Sequence, residues 1–145
     1  MSDNLAYELW LPLASRVDEN AEGLCDLTED EQTLFLCYAF VCQFYNGGLS
    51  GYGYNKTAPI RKAVALALER LSAPQSANLI RRANKILDKK VPPEDAKTWD
   101  EFLAIADPDN QLDQIHSLLA EQIERENVGE AVDELAASMK SNAEE

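Results

Sequence analysis

The sequence predicts an all-α fold, a single compact domain of about seven helices around a buried central helix at residues 28–45. Apolar residues recur three and four positions apart, as on one face of a helix, and no stretch alternates apolar and polar residues as a half-buried strand does. Several of these stretches follow residues that commonly begin helices. The chain has 145 residues, of which 46% are hydrophobic, enough to bury a core. We expect one domain over residues 1–140 and a frayed tail over 141–145.

The first helix is predicted at about residues 3–18. Its apolar stripe repeats with helical spacing and consists of Leu5, Leu9, Leu13 and Val17. Pro12 lies inside this segment, where it removes a backbone donor and collides with the preceding turn. We therefore expect a kink or a break at Pro12.

The central helix begins at a capping box, in which Thr28 and Glu31 each accept a hydrogen bond from the backbone of the other. The segment that follows is apolar nearly all round, which is typical of a buried helix. Asn46-Gly47-Gly48 is expected to end it, with Gly47 or Gly48 at positive φ as the C-cap. Residues 49–57 are then predicted to be a loop that packs Tyr52 and Tyr54 beneath a neighbouring helix.

Five further helices are predicted at about residues 58–71, 74–89, 99–106, 109–127 and 129–140. Prolines and helix-capping residues separate them. Thr98-x-x-Glu101 is expected to be a second capping box, and Pro108 is expected in the first turn of the helix that follows it.

The charge of the chain is strongly negative and unevenly distributed. Thirteen Lys and Arg residues stand against 26 Asp and Glu residues, a formal net charge of −13. The net charge is −8 over residues 1–31, +7 over residues 32–92 and −12 over residues 93–145. A protein that binds nucleic acid directly needs cations for the phosphates, so direct binding of nucleic acid is disfavoured. The basic middle is expected to be solvated helix surface with internal ion pairs.

Cysteine content and hydropathy indicate a protein of the reduced cytoplasm. Three cysteines without a CxxC pair suggest neither a disulfide framework nor a zinc site, and Cys37 and Cys42 are expected to be small buried residues. The N-terminus lacks the features of a signal peptide. The longest apolar run, residues 34–42, is too short to span a bilayer, so no membrane association is expected.

Catalytic motifs are not evident. His116 is the only histidine, no nucleophile stands at a recognised spacing from it, and we expect it at the surface or at its boundary. The glycine-rich segment after Gly47 lacks the Gly-Lys-Ser/Thr of a phosphate-binding loop. We therefore expect no catalytic residue, no metal and no cofactor.

Carboxylates are the remaining candidates for a functional surface. Side chains one helical turn apart lie about 6 Å apart, close to the phosphate spacing of a nucleic-acid strand, and an Arg side chain binds carboxylate and phosphate alike. Rows of acids on helices could therefore resemble phosphates, although they could also serve solubility alone. The candidate acids are Asp113, Glu121, Glu124, Glu126, Glu130, Asp133 and Glu134, with Asp18, Glu19 and Glu22 as a second cluster.

The segment from Gln43 to Asn55 resembles the signature of a family of small bacterial helical proteins. That signature is Glu, two residues, Asn-Gly-Gly, an aromatic residue, then Gln, aromatic residues and a final Asn. The matching positions are Asn46, Gly47, Gly48, Tyr52, Tyr54 and Asn55; the sequence departs from the signature at Gln43, Leu49, Gly51 and Gly53. The resemblance covers residues 28–90 and implies an all-helical fold, in which these residues play a structural part. The family includes an acidic DNA-mimic protein that occupies the DNA-binding surface of a transcription regulator.

These observations favour a non-catalytic acidic protein that binds a basic, DNA-binding protein as a DNA mimic. An immunity-type inhibitor of a toxin or nuclease is the alternative, since such inhibitors are also small and acidic. An enzyme is the third class, disfavoured by the lack of a catalytic constellation. A homodimer is left open.

Overall fold

The part of the chain that the structure, a computed structural model, describes folds into seven α-helices and one short 3₁₀ helix. The structure describes residues 5–17 and 21–144, and within them it contains no strand; the side chains of residues 21, 22 and 55 are also outside the description. The all-α prediction is confirmed. The elements are α1 (Leu5–Val17), the 3₁₀ helix (Ala21–Asp26), α2 (Glu29–Asn55), α3 (Ala58–Arg70), α4 (Pro74–Leu87), α5 (Trp99–Ala106), α6 (Gln111–Arg125) and α7 (Val128–Ala143).

Helix α2 is the centre of the fold, as predicted. It packs against α1, α3 and α7, and its side chains at Leu34, Cys37 and Phe40 are at most 1% exposed. A helix that contacts neighbours on several sides must be apolar around most of its circumference, which explains the sequence of its first half.

The two predicted capping boxes form to different extents. At the start of α2, Thr28 Oγ1 accepts from the N–H of Glu31 at 3.1 Å, and the Glu31 carboxylate accepts from the N–H of Thr28 at 2.9 Å. At the start of α5, Thr98 accepts from the N–H of Glu101, but the Glu101 carboxylate accepts instead from the N–H of Lys97. The first box is confirmed, and the second is confirmed only on the Thr98 side.

Helix α2 does not end at the Asn-Gly-Gly sequence, and the prediction of a loop at residues 49–57 is wrong. Gly48 has φ 62° and ψ −163°, so it kinks the helix at the predicted position, but the chain resumes helical geometry and continues to Asn55. Leu49 and Tyr52 are at most 2% exposed. Burial of these side chains explains why the chain re-forms a helix after the kink.

Three smaller differences concern the extent of individual helices. Helix α1 continues through Pro12 to Val17 without a break. Helix α6 begins at Gln111, so Pro108 precedes the helix instead of lying in its first turn. Helix α7 reaches Ala143, three residues beyond its predicted end.

The cysteines differ in burial. Cys37 is buried, as expected, whereas Cys42 and Cys25 are exposed, so the prediction of a buried Cys42 is wrong. Among the helices in the described part of the chain, none combines the length and apolar character that a membrane span requires.

Candidate functional site

Helices α6 and α7 carry the acidic residues that the sequence singled out. The buried stripe of α6 is Leu112, Ile115, Leu119 and Ile123, and that of α7 is Val128, Val132 and Ala136. At 100° per residue, the candidate acids of both helices fall on the sides turned away from these stripes. The exposed members of the set are Asp113, Glu121, Glu124, Glu130, Asp133 and Glu134.

Most of these carboxylates have no cation beside them. Glu121 forms an ion pair with Arg125 one turn further along α6, and Asp113 accepts a hydrogen bond at 2.8 Å from the side-chain amide of Asn110. Among the described residues, no Lys or Arg pairs with the other exposed acids of the set. Negative charge on these two helices is therefore largely uncompensated.

Glu126 has a different environment from the other candidates. Its Oε1 accepts from the backbone N–H and from the hydroxyl of Ser76, both at 2.7 Å, and its Oε2 accepts from the N–H of Gln75 at 3.0 Å. These groups lie in the first turn of α4, where backbone N–H groups lack intrahelical partners and the helix dipole favours negative charge. Glu126 thus caps α4, a structural role that the sequence did not reveal.

The position of the second predicted acidic cluster, Asp18, Glu19 and Glu22, is not described by the structure. Asp18 and Glu19 lie outside the described residues, and so does the side chain of Glu22. Their proposed role stays a prediction.

The residues of the Asn-Gly-Gly signature divide between core and surface. Tyr52 is fully buried, and its hydroxyl donates to Asn84 Oδ1 at 3.1 Å, while Asn84 Nδ2 donates to the carbonyl oxygen of Arg61 at 3.1 Å. Burial raises the pKa of Tyr52 well above its usual value. This network joins the second half of α2 to α3 and α4.

Tyr54 is not packed beneath a neighbouring helix, contrary to the prediction. It is 68% exposed, and its ring lies beside that of Trp99 in a T-shaped arrangement with ring centroids 5.7 Å apart. Tyr52 and Tyr54 lie two residues apart on a helix, so they point about 200° apart, and only one of them can enter the core. Asn46 is exposed, and the side chain of Asn55 is outside the described residues.

An acidic cleft of about 520 Å³ lies where the α2 kink meets α5 and α6. Gly47 and Gly48 line one side, and the other sides include Asp113 and His116 together with two acids that sequence reasoning missed, Asp100 and Asp107. The Asp107 carboxylate also caps α6, because it accepts from the N–H groups of Gln111 at 2.7 Å and Leu112 at 2.9 Å. An acid followed by Pro108 and Asn110 could have suggested this cap, but Asp100 gave no local signal.

His116 lies at the edge of this cleft and is half-buried, in agreement with its prediction. Its ring stacks on Phe44 with centroids 4.5 Å apart and planes inclined by 21°. In the described part of the chain, no group of three or more His, Cys, Asp or Glu side chains is arranged to hold a metal ion.

The fold and the surface define an all-helical acidic protein with exposed, largely unpaired carboxylates on its last two helices. The chain belongs to the DMP19-like protein family, whose model matches residues 25–142. This match extends well beyond residues 28–90, which the resemblance of the signature covers, and it includes α6 and all of α7 except its last residue. Neither a curated protein nor a solved structure matches the chain.

Proposed function

We propose that this protein binds a basic, DNA-binding protein and acts without catalysis, its carboxylates on α6 and α7 taking the place of DNA phosphates. The observation that carries the proposal is the set of exposed acids that no described Lys or Arg neutralises. This set is Asp113, Glu124, Glu130, Asp133 and Glu134.

The spacing of these acids suits an array that resembles a phosphate backbone. Asp113, Glu121 and Glu124 occupy one side of α6, separated by two turns and then by one. Side chains one turn apart lie about 6 Å apart, and an Arg guanidinium forms charge-assisted hydrogen bonds with carboxylate and phosphate oxygens alike. The net charge of −13 adds long-range attraction toward a basic partner.

Membership of the DMP19-like family supports the same proposal, since the family that the Asn-Gly-Gly signature resembles includes an acidic DNA-mimic protein. The cleft beside the α2 kink adds the carboxylate of Asp100, which lines the same cleft as Asp113. Glu126 is excluded from the proposed surface, because both of its oxygens are engaged at the start of α4.

Affinity capture from a native lysate tests the proposal. The bait is the full chain, compared with a variant that carries Asp113→Asn, Glu121→Gln and Glu124→Gln. A matched variant removes the same charge from exposed acids outside α6 and α7, namely Asp30→Asn, Glu94→Gln and Asp95→Asn. We expect the full chain and the matched variant to retain a basic DNA-binding protein, identified by mass spectrometry, and the α6 variant to lose most of it.

Elution provides the second readout. Added double-stranded DNA and raised salt should both release the captured protein, since exposed charges more than about 8 Å apart are screened at 0.15 M salt. Capture of no basic protein, or a complex that resists both treatments, would leave these acids with solubility alone. A captured toxin covered at its catalytic site would instead favour an immunity-type inhibitor.

A further inference from the structure

A groove between α3 and α4 has the opposite character to the acidic helices. Its volume is about 800 Å³, and its apolar part includes Pro59, Ala65 and Leu66 of α3. Leu66 is 47% exposed, so this large apolar side chain lines the groove and is accessible to a partner. Helical spacing along α3 brings residues 59, 62 and 66 onto one wall of the groove.

Cations border this groove on both helices. Lys62 stands on the α3 wall, and Arg81 and Lys85 stand on the α4 wall. Arg81 is paired with Glu69, but neither Lys62 nor Lys85 forms an ion pair with any described residue. Both lysines are exposed, so their charges are accessible to a partner bound in the groove.

Asp88 is the single acidic residue that lines the groove, and its charge is already balanced by a buried arginine, Arg61. Asp88 lines one end of the groove, and its Oδ1 accepts a hydrogen bond from Nη2 of Arg61, a residue that is 7% exposed. The other terminal nitrogen of Arg61 donates to the carbonyl oxygen of Lys56 at 2.6 Å. Asp88 therefore offsets the buried arginine, and the lysines leave the groove with a positive potential.

We propose that this groove binds an acidic amphipathic helix of a partner protein. The apolar side of that helix would cover Leu66 and its neighbours, and its flanking carboxylates would pair with Lys62 and Lys85. An amphipathic helix laid into a groove between two helices is a common mode of recognition. The apolar floor and the net charge of −13 disfavour a nucleic-acid strand in the same place. The groove contains no residue of α6 or α7, so the protein has two binding surfaces of opposite charge.

A designed peptide tests this proposal independently of the acidic surface. The probe is an 18-residue fluorescent helix with leucines on one face and glutamates beside them, and the matched probe carries glutamines in place of the glutamates. Fluorescence anisotropy should show that the full chain binds the glutamate peptide at least tenfold more tightly than the glutamine peptide. The α6 variant defined above should bind it as the full chain does, which separates this proposal from the proposed function.

Groove variants locate the binding. Lys62→Glu with Lys85→Glu, and separately Leu66→Ser, should each weaken binding of the glutamate peptide at least tenfold. Arg82→Glu with Lys90→Glu makes the same charge change at exposed positions outside the groove and should weaken binding less than threefold. Circular dichroism verifies that every variant retains its helical signal.

Three results would overturn the proposal. The first is that the full chain does not bind the glutamate peptide, or that the groove variants bind it unchanged. The second is that the full chain binds a double-stranded DNA oligonucleotide and the lysine variant does not, which would assign the groove to nucleic acid. The third is that sedimentation shows a dimer converted to a monomer by the groove variants, which would assign the groove to a second copy of this chain.

Discussion

Gly48 of α2 lies directly against His116 of α6. A β-carbon on Gly48 would stand 3.1 Å from both Cε1 and Nδ1 of the imidazole, closer than an ordinary van der Waals contact. The ring cannot move away freely, because Phe44 stacks on it with centroids 4.5 Å apart. Gly48 also adopts φ 62° with ψ −163°, a region that is essentially restricted to glycine. Steric fit and backbone geometry thus both require glycine where α2 kinks.

Replacement of Gly48 by alanine should destabilise the protein. A strained backbone of this kind costs roughly 1–3 kcal/mol, and the contact with His116 adds to it. Chemical denaturation followed by circular dichroism measures the change in the free energy of unfolding. Gly129→Ala is the matched control, because a β-carbon there would meet nothing within 4 Å, and its stability should be unchanged or slightly raised. Equal stabilities of the two variants would show that the kink does not constrain residue 48.

Glu126→Gln should also lower the stability of the fold. The substitution removes the charge that caps α4 and leaves only one oxygen to accept from Gln75 and Ser76. Loss of a helix cap costs about 0.5–2 kcal/mol. Glu124→Gln is the control, since this exposed carboxylate forms no ion pair or side-chain hydrogen bond with the described residues, and it should change stability by less than about 0.5 kcal/mol. If Glu126→Gln is as stable as Glu124→Gln, the capping role is refuted.

The features that the sequence predicted are local ones. Helical periodicity and the Thr28–Glu31 box depend on residues a few positions apart, and so does the positive φ at Gly48. Continuation of α2 beyond Gly48 depends on Tyr52 reaching Asn84, 32 residues away. The cap of α4 by Glu126 spans about 50 residues. Such contacts are set by how the helices pack, and no local pattern in the sequence encodes them.

The sequence likewise predicted only the local features of the candidate site. Exposure of the acids on α6 and α7 follows from the positions of their apolar stripes, which the sequence shows directly. The acidic cleft was missed because Asp100 belongs to α5, whose position depends on tertiary contacts, among them the bond from Trp99 Nε1 to Ser50 Oγ at 2.9 Å.

Tyr52→Phe should destabilise the protein, whereas Tyr54→Phe should not. The first substitution removes the donor to Asn84 Oδ1 and leaves that buried oxygen without the hydroxyl, which costs about 1–3 kcal/mol. Tyr54 is 68% exposed, so water replaces anything its hydroxyl loses. Thermal unfolding of the two variants side by side measures the difference. Identical melting temperatures would contradict the role given to the Tyr52 network.

Stability should fall at alkaline pH because of Cys37. Burial raises the pKa of this thiol from about 9 to about 12, so between these values the unfolded chain loses the proton and the folded chain keeps it. Stability is then fully present below pH 9 and decreases as pH rises toward 12. At pH 10 the loss from this group is on the order of 1 kcal/mol.

Denaturant unfolding between pH 8 and pH 10 measures this decline, to which the raised pKa of the buried Tyr52 adds a smaller loss near pH 10. Cys37→Ala should flatten the decline, even though the smaller side chain lowers stability at every pH. Cys42→Ala changes an exposed thiol and should keep the decline of the unmodified chain. If the slope survives in Cys37→Ala, another group governs the alkaline loss.

Displacement of DNA from the captured partner tests the central claim most directly. Labelled double-stranded DNA is bound to that purified protein, and the chain is titrated in while fluorescence anisotropy reports the bound DNA. The account predicts full displacement by the unmodified chain and by the variant Asp30→Asn, Glu94→Gln, Asp95→Asn. It predicts at least tenfold weaker displacement by Asp113→Asn, Glu121→Gln, Glu124→Gln. A ternary complex in which the partner holds both the DNA and this chain would contradict it.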